Sequence, residues 1–240
     1  MFRKIVTDLL IYLDKIGKIS YSPNRTLHVL QRLAGNGFDP QVCYDVGAFQ
    51  GSFALECLQV WPSTQVFCFE PLEEKVVHLN ELSKVHPSIQ VVPGLVGAAN
   101  KANVAFHEAE NASSILQESV PQDFPVRDHP MRTLSSHAET IQKKPQFLKI
   151  DTQGYEFEVL KGAEELFDHI QVILFEASFL EIHQDVALFG EIHAWLTERS
   201  WVPYDLCEIK RRPLDSAIWT VDFVYVKENS PLRANKAWGN

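Results

Sequence analysis

No two of the four cysteines, Cys43, Cys57, Cys68 and Cys207, stand at C-x-x-C spacing, and none is part of a cysteine–histidine cluster. That excludes the usual structural zinc patterns and a disulfide framework, and leaves small buried thiols in a reduced compartment. No apolar run approaches the length of a membrane span. Asp8, Asp14 and Lys15 interrupt the N-terminal segment where a signal peptide would have its apolar core, so the expected location is cytoplasmic. Positive charge is also scarce. Against 31 acids there are 22 lysines and arginines, a net charge of −9, which repels nucleic acid and anionic membrane surfaces alike. Internal repeats are lacking too. With 45% hydrophobic residues over 240 positions, the chain can bury a full core of single-domain size.

What is present is an alternation of short apolar runs and amphipathic stretches. Phe2, Ile5, Val6, Leu9, Leu13 and Ile16 recur at helical spacing, which predicts an amphipathic helix packed on the flank of the domain. Its other uses would be a lid, a dimer contact or a surface helix on a membrane. A second short helix is predicted from Ser22 to Arg32, ended by Gly35 and Gly37. From residue 42 the pattern predicts strands over 42–46, 65–69, 89–92 (resuming at 95–96), 146–150, 172–175, 202–206 and 217–226. Helices are expected over 52–60, 73–84, 156–167 and 187–199. Such alternation builds a mostly parallel sheet with helices on both faces. The turn at 210–215 is too short for a helical crossover, so the last two strands are expected to be antiparallel. Residues 97–145 read as a polar tract without helices, carrying short strands at 104–107, 114–116 and 131–134. The resulting division is an N-terminal helical extension over 1–40, a main domain over 41–228 and a tail over 229–240.

The segment Val42-Cys43-Tyr44-Asp45-Val46-Gly47-Ala48-Phe49-Gln50-Gly51 is the centre of this pattern. It reads as a strand, a glycine turn and a helix start, whose free N–H groups and neighbouring acid suit a nucleoside that carries an amino acid. Glu70 ends the next strand about 20 residues beyond Gly51, where an acid can bind both ribose hydroxyls. A nicotinamide cofactor would want three glycines as G-x-G-x-x-G, and only Gly47 and Gly51 are there. A nicotinamide-dependent oxidoreductase is therefore the weaker alternative. A non-catalytic ligand-binding protein of the same fold is the other. Four acids, Asp45, Glu70, Asp151 and Glu176, fall at the ends of successive strands, where open α/β sheets bind ligands.

Asp45 to Gly51, Phe69-Glu70-Pro71, and above all Phe147-Leu148-Lys149-Ile150-Asp151-Thr152-Gln153-Gly154-Tyr155-Glu156-Phe157-Glu158-Val159-Leu160-Lys161-Gly162-Ala163 resemble the FkbM family of S-adenosylmethionine-dependent methyltransferases. Ala112 to Leu116, Arg132-Thr133-Leu134 and Asp222 to Val226 extend the resemblance, which covers residues 40–228. Two departures stand out. Phe49 replaces the family's usual asparagine, and Ser135 stands where an aspartate would follow Thr133-Leu134, so a hydroxyl is expected to cap that turn.

The resemblance implies a Rossmann-like class I methyltransferase fold, an α/β seven-stranded sheet with an antiparallel final hairpin. It also implies S-adenosylmethionine as cofactor and O-methylation of a sugar or secondary metabolite. On that basis the methionine part of the cofactor lies against Asp45, Gly47 and Gly51, the ribose on Glu70, and the adenine near Val96 and Gly97. Ala48, Phe49, Pro71, Ser114 and Asp151 complete the surroundings. For catalysis an alcohol acceptor gains from a general base, for which Asp151 and Glu176 qualify by position and His183 by its ordinary pKa. Two carboxylates alone are a thin set for Mg²⁺, so a divalent ion holding a sugar diol is the less favoured arrangement and no metal ligand is assigned. Lys149 is expected to reach solvent or pair with an acid, Glu156 and Glu158 to favour the helix dipole, and Arg211 and Arg212 to lie in a solvated turn. The expected partner is a small hydroxyl-bearing acceptor. A homo-oligomer is left open.

Overall fold

A computed structural model describes residues 25–108, 113–117 and 124–239; the helix expected over 2–16 lies outside the described residues. Helix α1 is Thr26–Gly35. Strand β1 (Val42–Val46) leads into α2 (Ser52–Val60), β2 (Gln65–Glu70), α3 (Glu73–Val85) and β3 (Ile89–Pro93). After a second small sheet of β4 (Leu95–Val96), β5 (Lys101–His107) and β6 (Val126–Arg132) comes α4 (Leu134–Ile141). The main sheet resumes with β7 (Phe147–Ile150), α5 (Glu156–Gly162), β8 (Val172–Ser178), α6 (Phe189–Thr197), β9 (Trp201–Arg211) and β10 (Ile218–Lys227).

The main sheet has seven strands in the order β3-β2-β1-β7-β8-β10-β9. Its first five are parallel, and β10 runs antiparallel to both β8 and β9, as the short 210–215 turn requires. Strand periodicity divides the core between two faces. Tyr44, Val46, Leu148, Ile150, Ile173 and Phe175 pack on the side of α5 and α6. Cys43, Val66, Cys68, Phe147, Val172 and Leu174 pack on the side of α1 and α2. All four cysteines are free and buried on this second face. Residues 26–35, placed by the sequence in an extension, are built into the same core through Val29, Leu30 and Leu33.

Four expectations are corrected. Leu95 and Val96 do not resume β3; they pair parallel with Met131 and Arg132 in the separate three-stranded sheet. The tract 97–145 does contain a helix, α4. Its cap is Thr133, whose Oγ1 accepts from Ser136 N at 3.1 Å, whereas Ser135 donates to Gly162 O at 3.1 Å instead. Finally, β8 extends to Ser178, so Glu176 lies inside a strand rather than at its end. No helix among the described residues is long and apolar enough to cross a membrane.

Candidate active site

The turn after β1 passes so close to the end of β7 that a Cβ on Gly47 would stand 1.8 Å from the carbonyl oxygen of Asp151. Gly47 also has φ +74°, so it satisfies both demands that only glycine meets without strain. The turn is tied down by Gly47 N and Ala48 N, which donate to Phe69 O at 3.0 and 3.2 Å. Gly51, at φ +80°, then starts α2. Phe49 takes φ +49°, a region that asparagine enters far more readily than an aromatic residue. The residue that departs from the family's usual choice is therefore one held in a left-handed turn. Its ring lies 4.5 Å from Lys75 Nζ, a cation–π contact.

Beneath this turn opens a cavity of about 540 Å³, within the range of small-molecule sites. Gly47, Phe49, Glu70, Pro71, Val96 and Asp151 line it, all expected in the cofactor's surroundings. Glu70 is the last residue of β2 and is almost wholly buried. Its Oε2 accepts from Phe49 N at 2.8 Å and its Oε1 from Leu72 N at 3.0 Å. Burial pushes its pKa up, and these two N–H donors oppose that shift. Each oxygen keeps a second lone pair for a ligand.

The other expected residues stand elsewhere. Asp45 is fully buried and does not line the cavity. It precedes the last residue of β1, so its side chain points to the α2 face of the sheet, directly beside Lys149 in the parallel register. Lys149 Nζ lies 2.9 Å from Asp45 Oδ1 and donates to Gly47 O at 2.9 Å. Burial would lower the lysine's pKa, but Asp45 and Asp151 hold it well above the ordinary value. Lys149 thus pairs with an acid, and Asp45 supports the turn from behind.

Ala48 and Gly51 lie in the turn's backbone but off the cavity wall. Gly97 packs behind Val96 against Met131 and Tyr155. Ser114 is buried and donates to Gln153 O at 2.8 Å, while its neighbours Ser113 and Ile115 face the cavity. His183 is buried behind Gly154, where an added Cβ would meet its Nδ1 at 3.2 Å; it does not line the cavity.

Of the three catalytic candidates, only Asp151 reaches the cavity, because it lies just beyond the end of β7. Its Oδ1 accepts from Gln153 Nε2 at 2.7 Å. Glu176 stays off the cavity wall. Its Oε1 takes a short ion pair from Lys210 Nζ (2.5 Å) and a hydrogen bond from Thr220 Oγ1 (3.0 Å). Burial and then Asp151 raise its pKa, against the pull of Lys210. Glu156 does more than favour the helix dipole. Buried, it accepts at Oε1 from Thr152 N (2.8 Å), Thr152 Oγ1 (3.2 Å) and Gly154 N (3.2 Å), closing the turn before α5. Burial, with Glu176 nearby, pushes its carboxyl up to about 8. Asp222, opposite Glu176 on β10, is raised well above the carboxylate range, chiefly by burial. Arg212 pairs with Asp215 and Arg211 donates to Ser216 O, as a solvated turn would have them.

Asp151, Glu156 and Glu176 bring one carboxylate oxygen each within 4.8 Å of one another, a spacing open to a cation. Three carboxylates leave half of a six-oxygen Mg²⁺ shell to water, and two of the three are already committed to protein donors. Glu156 and Glu176 each already receive three hydrogens, and the ammonium of Lys210 supplies the positive charge.

Sequence reasoning missed Lys210, Trp219 and Tyr155 in the cavity wall. The first two come from the terminal hairpin, whose β9 runs five residues beyond the end that the alternating pattern indicated. No sequence signal aims a hairpin residue at a distant turn.

A profile of the methyltransferase FkbM domain matches residues 45–201. Hexuronic acid methyltransferase AglP of Haloferax volcanii is 25% identical over 163 residues, which cover 66% of this chain and 62% of that protein. The chain thus spans under two thirds of the length of this curated relative. The crystal structure of methyltransferase FkbM from Methylobacillus flagellatus KT is similar with a TM-score of 0.52 at 17% identity, over 76% of this chain and 43% of that one. The Methanococcus jannaschii fibrillarin pre-rRNA processing protein is similar with a TM-score of 0.51 at 14% identity, over 87% and 77%. At such identities the two structures speak to the fold alone. With well over half of its length matched by the profile, the chain belongs to the methyltransferase FkbM domain family.

Proposed function

We propose that this protein is an S-adenosylmethionine-dependent methyltransferase that acts on a hydroxyl of a small molecule, a sugar or another secondary metabolite. The observation that carries this reading is a single cavity joining Glu70 to Asp151 under the Gly47 turn. Glu70, braced by two backbone N–H groups, offers its remaining lone pairs to the two ribose hydroxyls. Leu72, Leu95, Val96 and Phe106 give the apolar surface that an adenine ring needs. When bound, S-adenosylmethionine supplies a methyl group on a sulfonium centre that an acceptor oxygen can displace. Asp151, oriented by Gln153 and open to the cavity, accepts the proton that the acceptor hydroxyl gives up. Fixing the acceptor oxygen in line is the larger part of what such a site contributes. Glu176 and His183 do not touch the cavity, so their roles are to hold Lys210 and to back Gly154.

Calorimetric titration with S-adenosylhomocysteine and, separately, with NAD tests the assignment. Heat with the former and none with the latter is expected; the reverse would return the nicotinamide reading. Asp151→Ala is expected to abolish methylation while S-adenosylhomocysteine still binds. Undiminished turnover would move the chemistry to another residue. Screening a metabolite extract by mass for the gain of one methylene identifies the acceptor, and its complete failure would favour the non-catalytic alternative.

A further inference from the structure

The cofactor reading leaves part of the cavity wall without a role. Its far wall is made by Lys210 of β9 and Trp219 of β10, across the sheet from Glu70. The antiparallel hairpin brings them there: Thr220 stands opposite Ser178, so the last residues of β9 and the first of β10 reach the carboxyl edge of β8. A register shift between Ile218 and Thr220 interrupts the ladder at Trp219, and Phe179 N donates to Trp219 O at 2.8 Å, fixing the backbone that carries the indole. A flat apolar ring is thereby presented to the cavity.

The polar groups beside it are of two kinds. Lys210 has a half-exposed side chain and gives one of its three N–H donors to buried Glu176 Oε1; the other two remain for a ligand. Asp151 has a side chain one-third exposed, and its Oδ2 lies 4.0 Å from Lys149 Nζ, too far for a hydrogen bond. One acceptor and one donor thus face the cavity near an indole plane. Lys210 is the only cation among the described lining residues, and Glu176 already balances it. Among the described residues the wall therefore has no unpaired positive charge for a carboxylate or phosphate, and the chain's net charge of −9 also disfavours an anion.

We propose that this end of the cavity is the acceptor subsite, and that it takes a neutral ring sugar with two adjacent free hydroxyls. The C–H face of the ring lies on Trp219. The hydroxyl to be methylated donates to Asp151 Oδ2, and its neighbour accepts from Lys210. The proposal rests on the methyltransferase reading above and narrows its substrate class.

The test measures transfer of labelled methyl from S-adenosylmethionine to methyl glucopyranoside, methyl galactopyranoside, methyl mannopyranoside, the methyl glucuronide and catechol. Wild type, Trp219→Phe, Trp219→Leu and Trp219→Ala are compared, each first titrated with S-adenosylhomocysteine. A neutral glycoside is expected to be methylated in preference to the glucuronide and to catechol. Trp219→Leu keeps apolar bulk without a plane, so it and Trp219→Ala are expected to raise KM for that glycoside by about tenfold. Trp219→Phe is expected to restore most of the affinity, and all four proteins to bind S-adenosylhomocysteine equally. Preference for the glucuronide or catechol, no methylation of any glycoside by a protein that binds S-adenosylhomocysteine, or an unchanged KM in Trp219→Leu would overturn the proposal. Failure of wild type to bind S-adenosylhomocysteine would instead strike the methyltransferase reading itself.

Discussion

Replacing Lys149 with methionine is the sharpest perturbation of the turn, because it removes a charge without removing bulk. Lys149 Nζ is the only cation within 3 Å of Asp45 among the described residues, and Asp45 is fully buried. Breaking a buried ion pair by deleting one partner costs about 3–5 kcal/mol, since the remaining charge has no solvent to fall back on. The carbonyl of Gly47 loses its donor as well, about 1 kcal/mol more. In a domain of this size each kcal/mol lowers Tm by roughly 2–4 °C, so a drop of roughly 8–24 °C is expected near neutral pH. The loss should depend on pH. Burial already raises the pKa of Asp45, and without Lys149 it rises further. The folded state then holds a proton that the unfolded state releases, so stability of the variant falls as pH rises above the ordinary aspartate range. Asp45→Asn in the same background removes the stranded charge and is expected to recover most of the loss. Urea denaturation of the two single variants and the double variant, at pH 5 and pH 8, reads the cycle. A Lys149→Met protein within 1 kcal/mol of wild type, or a double variant no better than additive, would refute this account of the pair.

Gly47→Ala drives a Cβ into the carbonyl of Asp151 and forbids φ +74°, so it should yield a protein that does not bind S-adenosylhomocysteine or does not accumulate folded; near-normal affinity by calorimetry would refute the close approach. Glu70→Gln replaces one acceptor oxygen with an NH₂ facing a backbone N–H, and weakens S-adenosylhomocysteine by roughly 10–100-fold at about 1.5–3 kcal/mol per charge-assisted bond, with unchanged circular dichroism. Glu156 sits at about 8 in the folded protein against 4.5 for the ordinary carboxyl. The folded state therefore holds the extra proton between those values, and this contribution to stability is complete below 4.5 and lost as pH rises through 8. Glu156→Gln keeps an acceptor for Thr152 N and Gly154 N and should flatten that decline; an unchanged slope of Tm with pH would place the titration elsewhere.

The sequence by itself determined the architecture. Alternating apolar runs and amphipathic stretches dictate a parallel sheet with crossovers, and a turn of a few residues at 210–215 cannot return a strand in parallel, so the last hairpin followed from chain length alone. It also picked out Gly47 and Glu70, both of which line the cavity, because a glycine turn and a strand-end acid are local features. The polar tract 97–145 was not legible, since its helix α4 is short and its apolar contacts are made with distant elements.

Tertiary contacts set which acids face the cavity. Asp45, Glu70, Asp151 and Glu176 look equivalent in the sequence, yet a strand turns each successive side chain to the opposite face, and one residue of offset separates a cavity wall from a buried ion pair. Asp151 lies just past its strand and Glu70 ends one, so both reach the cavity; Asp45 and Glu176 lie inside theirs and meet Lys149 and Lys210 instead. Lys210 and Trp219 reach the cavity wall only through the register of a hairpin, more than forty residues beyond the 147–163 block, a placement that depends on pairing between strands and not on any local pattern.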